Sequence, residues 1–217
     1  MRLALVLLSL ACLGGCNMLM TKDPLFTRAD GAGAQPLRPG VWDQDATDQC
    51  QVDERQPLAS WPSCANGFLV GRDQTMTSFG QQGDKRVSNS THYVMAAGHP
   101  MVFQVLLSSS MSQMPLPQLY LYAAVRPTKF DERGRVIALT SWPVLCGPPP
   151  PADAKAPDGK SPRSGTLDPV PGLTMDASAN DCTTTSQDAA RRAAAASEAW
   201  TKPDGFTSSH WVRDADR

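Results

Sequence analysis

Residues 147–172 constrain the fold more than any other stretch: eight of these 26 residues are proline, and most of the others are small or charged. Proline lacks a backbone donor and fixes φ, so the stretch forms neither a helix nor an inner strand. It also carries too few apolar groups to fold alone. It reads as a surface excursion that divides the chain, with the strand-like segments before it and a helix after it. Upstream, residues 87–97, 101–107, 119–125 and 136–142 have the β-branched and apolar content of strands. Gly98-His99-Pro100 separates the first two, 108–117 forms a methionine-dotted loop, and Asp131-Glu132-Arg133-Gly134 is a turn. The segment 101–107 is apolar on both faces except at Gln104, which predicts a sheet covered on each side. The short loops favour antiparallel neighbours. Asn66-Gly67 signals a turn before a short strand at 68–70. Downstream, the alanine-rich run Gln187–Trp200 predicts a helix, capped by Thr185 or Ser186 and stopped by Pro203. Ala189, Ala193, Ala196 and Trp200 share its inner face. A strand at 206–212 closes the chain. The expectation is one α+β domain over residues 42–217, built on an antiparallel sheet of about five strands with long irregular loops.

The first 16 residues have a different character. Arg2 supplies a basic start, 3–13 is an apolar run interrupted only by Ser9, and Leu13-Gly14-Gly15-Cys16 ends it with small residues before a cysteine. The run is far shorter than the roughly 20 residues a spanning helix needs. This pattern resembles the lipobox of bacterial lipoproteins, a resemblance confined to the first 17 residues. It implies that 1–15 are a cleaved signal peptide and that Cys16 carries a diacylglycerol thioether and often an acylated amino group. Two or three acyl chains hold a protein at a membrane far more firmly than one. Asn17 follows, where aspartate commonly signals inner-membrane retention in such lipoproteins. The implied address is the inner leaflet of the outer membrane, facing the periplasm. Residues 16–41, with Pro24, Pro36 and Pro39 among glycines and alanines, read as a short tether, although Leu25 and Phe26 are expected to dock on the body.

On that resemblance Cys12 would leave with the leader and Cys16 would be acylated, so Cys50, Cys64, Cys146 and Cys182 would remain. An even count in an oxidising compartment reads as two disulfides. The favoured pairing is Cys50–Cys64 and Cys146–Cys182, because each closes a segment rich in prolines, turns or polar residues. In the loop-entropy account each bridge stabilises by roughly 3–4 kcal/mol. A four-cysteine zinc site would need CxxC pairs, which are absent. Trp61-Pro62 and Trp142-Pro143 each stand just before a cysteine, which suggests tryptophans packed against disulfides.

Evidence for catalysis is sparse. The chain has no GxSxG elbow, HExxH, phosphate-cradling glycine loop or dinucleotide fingerprint. With 20 Lys and Arg against 21 Asp and Glu and no basic run, nucleic acid is not an expected partner. No cofactor, metal or catalytic residue is assigned. The leading expectation is a non-enzymatic, membrane-anchored lipoprotein that binds or scaffolds another envelope component. A periplasmic hydrolase or metal-dependent enzyme using His92 or His99 is the first alternative. A glycan or small-ligand module using Trp42, Trp61, Trp142, Trp200 and Trp211 is the second. Ser108 to Ser110 read as a solvated loop. Asp43, Asp45, Asp48, Asp53 and Glu54 read as a charged surface around Cys50, without the spacing of a calcium loop. Asn89-Ser90-Thr91 matches a glycosylation sequon of little weight in such a protein. Oligomeric state is not legible from these features.

Overall fold

Two strands of 12 residues each, at Lys85–Ala96 and Leu119–Phe130, are long enough to bend and pair with different neighbours along their length. That property sets the architecture seen in a computed structural model. It describes residues 17–44, 50, 52–62, 64–82, 85–107, 118–151, 153–154, 165–166, 168–176 and 180–214. The leader, Cys16, Asp45, Asp48, Ser108 to Ser110 and most of the middle of the 147–172 excursion lie outside the described residues.

The elements are β1 (Met20–Thr21), β2 (Gly40–Gln44), β3 (Phe68–Val70), β4 (Thr75–Gln82), β5 (Lys85–Ala96), β6 (Met101–Leu107), β7 (Leu119–Phe130), β8 (Val136–Pro143), β9 (Thr174–Met175), β10 (Cys182–Thr183), the helix α1 (Gln187–Trp200) and β11 (Thr207–Arg213). Strand order is β1-β7-β6-β5-β4-β3-β2-β11-β8, with β7 pairing β8 as well. The first half of β7 pairs β6, and the second half pairs β8 across bulges near Pro127 and Lys129. Eight antiparallel strands therefore close into a barrel, which leaves no open edge in the ring. β1 is a ninth strand, added to β7 beyond the end of β8.

This corrects the expected α+β sheet of about five strands to a mostly β closed barrel with one helix among the described residues. The expectation missed β2 and β4, whereas the closing strand expected at 206–212 is present as β11. β4 reads TMTSFGQQ, polar on both faces, so it shows no hydrophobic alternation. Only pairing with β3 and β5 makes it a strand.

The both-face apolarity of β6 is explained by two layers. Inside the barrel, Trp42, Phe68, Val70, Tyr93, Met95, Met101, Val125, Val136 and Leu139 form one buried cluster. Outside, Ala96, Val102, Tyr122, Ala124 and Trp142 meet Leu19, Phe26 and the buried helix residues Ala189, Ala190, Ala193 and Ala194. Gln104, the single polar residue of that run, is 2 % exposed and hydrogen-bonded through both ends of its amide. Its side-chain oxygen accepts from the Leu25 and Phe26 N–H groups at 2.8 Å, and its amide donates to the Phe26 carbonyl at 2.9 Å. A buried amide without partners would be costly; here it fastens a neighbouring segment.

Residues 17–41, expected as a tether, lie against the body from their first residue. The Asn17 side chain donates to the Gly147 carbonyl at 2.8 Å, Leu19 is completely buried, and Phe26 is 1 % exposed. The helix α1 begins as expected at Ser186, whose hydroxyl accepts from Ala189 N–H. Its buried face runs through Ala189, Ala190, Ala193, Ala194 and Ser197 rather than through Ala196 and Trp200. Ser197 accepts from Leu145 N–H at 2.7 Å and donates to the Ala193 carbonyl at 2.6 Å. This places a polar residue at the centre of the contact. Arg126 of β7 pairs with Glu198 of α1, and Trp142 Nε1 donates to the Ala194 carbonyl at 3.2 Å.

Both disulfides, Cys50–Cys64 and Cys146–Cys182, are present. Each fastens an outer layer. Cys146 and Cys182 belong to the cluster under α1, with Trp142. Cys50 packs on a third cluster of Val41, Leu58, Trp61 and Ala65, which covers the outer face of β2. The two Trp-Pro motifs are thus corners at which a tryptophan packs into the layer its disulfide holds.

Candidate functional site

Barrel interiors are filled by alternate residues of every strand. Pairing register places Val105 opposite Leu121, Phe103 opposite Ala123, Ala123 opposite Pro143, and Ser141 opposite Thr207, all on the inner face. At this end the described residues leave a cavity. Phe103, Val105, Leu121, Ala123, Ser141, Pro143 and Thr207 line a cavity of about 270 Å³, with Met18 and Gly205 at its rim. Phe103 on this lining stacks on Tyr93, with centroids 5.2 Å apart, and Tyr93 belongs to the packed cluster. Burial pushes the Tyr93 phenol up to about 12, with Asp73 adding to the shift, so it stays neutral.

β6 and β7 supply the apolar Val105, Leu121 and Ala123 of this lining, and β8 and β11 add the hydroxyl side chains of Ser141 and Thr207. A mainly apolar cavity with a few polar groups is the usual chemistry of a site for an apolar or amphiphilic group. Among the described residues its lining holds no nucleophile–base pair. β1 completes the rim. Met20 pairs Leu121, Met18 bridges Leu145, and Leu19 N–H donates to the Val144 carbonyl at 2.8 Å. Asp181 accepts from Met18 N–H at 3.2 Å. Burial raises the Asp181 carboxyl, the Met18 bond lowers it and Asp176 raises it, with a net upward shift.

The other candidate residues are dispersed. His92 is exposed on the outer face of β5 opposite Thr75, and His99 is exposed in the β5–β6 turn. At about 3.3 Å per residue the intervening strand keeps them more than roughly 13 Å apart, so they form no shared site. Trp42, Trp61 and Trp142 are at most 3 % exposed. Trp211 packs on the interior cluster, lies under the Arg38 guanidinium at 3.4 Å and donates to the Pro39 carbonyl at 3.1 Å. Trp200 packs at the edge of the helix cluster. The tryptophans do not form a common platform. Asp53 accepts from Arg55 N–H at 3.0 Å and so caps its own turn. Asp43 and Glu54, by contrast, converge with His210, a residue that sequence reasoning did not connect to them.

An arginine-rich cleft of Arg38, Arg72, Arg133 and Arg135 also carries Asp131, Glu132 and Asp214. Arg38 pairs with Asp214 at 3.0 Å and Arg135 with Asp131 at 2.7 Å, so much of its charge is internally compensated. No described helix is long and apolar enough to cross a membrane. The chain matches no protein family, and no curated protein or solved structure is similar to it.

Proposed function

We propose that this chain is a lipoprotein of the bacterial envelope, anchored through Cys16 and facing the periplasm from the outer membrane. In this reading it acts without catalysis, by binding the apolar part of another envelope component in the barrel mouth. The leader and the Leu13-Gly14-Gly15-Cys16 motif support the address. One observation carries the binding role: the barrel interior is packed at one end and lined by half-buried Val105, Leu121 and Ala123 around an accessible cavity at the other. His92 and His99 lie apart, so the hydrolase alternative would rest on one of them alone.

The test is site-directed photocrosslinking of the full-length lipoprotein in its own cells. A photoreactive side chain at position 105 or 121 should capture one discrete species, a protein or a lipid. The same group at position 88, on the exposed outer face of β5, should not. Identical adducts from both positions, or none from the mouth, would remove the binding reading. Turnover of an envelope substrate by the purified protein would replace it with an enzymatic one.

A further inference from the structure

We propose that Asp43, Glu54 and His210 form a site for one divalent transition-metal ion, with zinc the ion best suited to its donors. The three residues come from segments far apart in sequence. Asp43 of β2 and His210 of β11 are register partners, so antiparallel pairing places their side chains together on the barrel's outer face. Glu54 arrives from the covering loop. That loop is fixed by the Cys50–Cys64 bridge, by buried Leu58 and Trp61, and by the Arg213 guanidinium, which donates to the Glu54 and Gln56 carbonyls. One donor atom from each of the three residues lies within 4.8 Å of the others.

The His210–Glu54 separation suits a shared ion better than a direct ion pair. His210 Nε2 and Glu54 Oε1 are 3.5 Å apart. A charge-assisted hydrogen bond between such groups settles near about 2.8 Å. Two ligands each about 2.1 Å from one tetrahedral ion are instead about 3.4 Å apart. The donor set is one imidazole nitrogen and two carboxylate oxygens. This mixed nitrogen–oxygen set favours zinc and its neighbours over calcium, which takes six to eight oxygens. The two carboxylates balance the charge of a divalent ion. Asp43 is 7 % exposed, whereas the Glu54 and His210 side chains are 52 % and 39 % exposed. The ion would thus be held from the barrel side and keep water on its outer side. It would join β2, β11 and the disulfide-closed loop at one point.

The experiment is calorimetric titration of zinc chloride into the full-length chain, extracted in detergent and stripped with chelator. Saturable uptake of one equivalent is expected, weakened by at least about tenfold in His210→Ala and in Glu54→Gln. Both substitutions fall on solvent-facing side chains, and circular dichroism will verify that the barrel persists. His92→Ala combined with His99→Ala should bind as the parent does, and an equal concentration of calcium should not displace the zinc. Absence of saturable uptake, parental affinity in both site variants, or equal loss in the His92/His99 variant would overturn the proposal.

Discussion

The two halves of the barrel interior are built from the same strands and filled differently. In the closed half, Trp42 stacks on Phe68 with centroids 6.0 Å apart, and Val70, Met95, Met101 and Val125 leave each side chain at most 5 % exposed apart from Phe68. In the open half, Val105, Leu121 and Ala123 are only half-buried around a cavity of about 270 Å³. Stability therefore concentrates at one end, while accessible apolar surface is kept at the other. Retained surface of this kind is more informative about binding than any buried residue.

Substitutions at the two ends can break or sharpen this contrast. The largest effect should come from Trp42→Ala, which removes a fully buried ring from the closed half. It is expected to cost about 3–5 kcal/mol in urea unfolding. A cost below about 1 kcal/mol would mean that the closed half does not carry the fold. Leu121→Ala truncates a half-buried side chain beside space that already exists, and should cost only about 1 kcal/mol by the same measurement. Near-equal costs for the two variants would erase the distinction. Ala123→Leu adds volume to the mouth and should leave stability within about 1 kcal/mol of the parent. It should nevertheless abolish fluorescence enhancement of a neutral naphthylamine dye. A dye signal unchanged by this substitution would locate the apolar site elsewhere.

The smallest effect concerns pH and belongs to the open end alone, because Asp181 holds Met18 at its rim. Burial raises the Asp181 carboxyl, so between its ordinary value and the raised one the folded chain binds more protons than the unfolded chain. Stability from this group therefore falls as pH rises through that window and is recovered below it. Asp181→Asn keeps an acceptor for Met18 and removes the charge. Its melting temperature should match or slightly exceed the parent's at about pH 7, and lose any advantage near about pH 4. A variant markedly less stable at neutral pH would show that the charge itself secures the rim.

Legibility from sequence tracked the strength of local patterning. The alanine-rich helix, its Ser186 cap and the apolar run of β6 all announce themselves within a few residues. The disulfide pairing followed from the composition of the loops it closes. Barrel closure did not, because it rests on β7 dividing its partners between β6 and β8 and on polar strands such as β4. The mouth was hidden for a related reason. Val105 and Leu121 look like core residues in sequence, yet as register partners they stand half-buried together on the lining of the cavity. Glu54 and His210 are 156 positions apart, and only the pairing of β2 with β11 brings Asp43 beside His210.

The docking of Asn17 against Gly147 has a mechanical consequence. Under the proposed lipidation of Cys16 there is no leash between lipid and barrel, because Asn17, the next residue, is already fastened to the body. A leashed domain sweeps a volume set by the length of its linker and can reach partners well away from the bilayer. This one would stand at a fixed height, with Met18 on the rim and at most about 7 Å of chain between it and the modified cysteine. Its effective concentration would be high within a thin layer at the membrane surface and negligible beyond it. Whatever it binds must come to that surface.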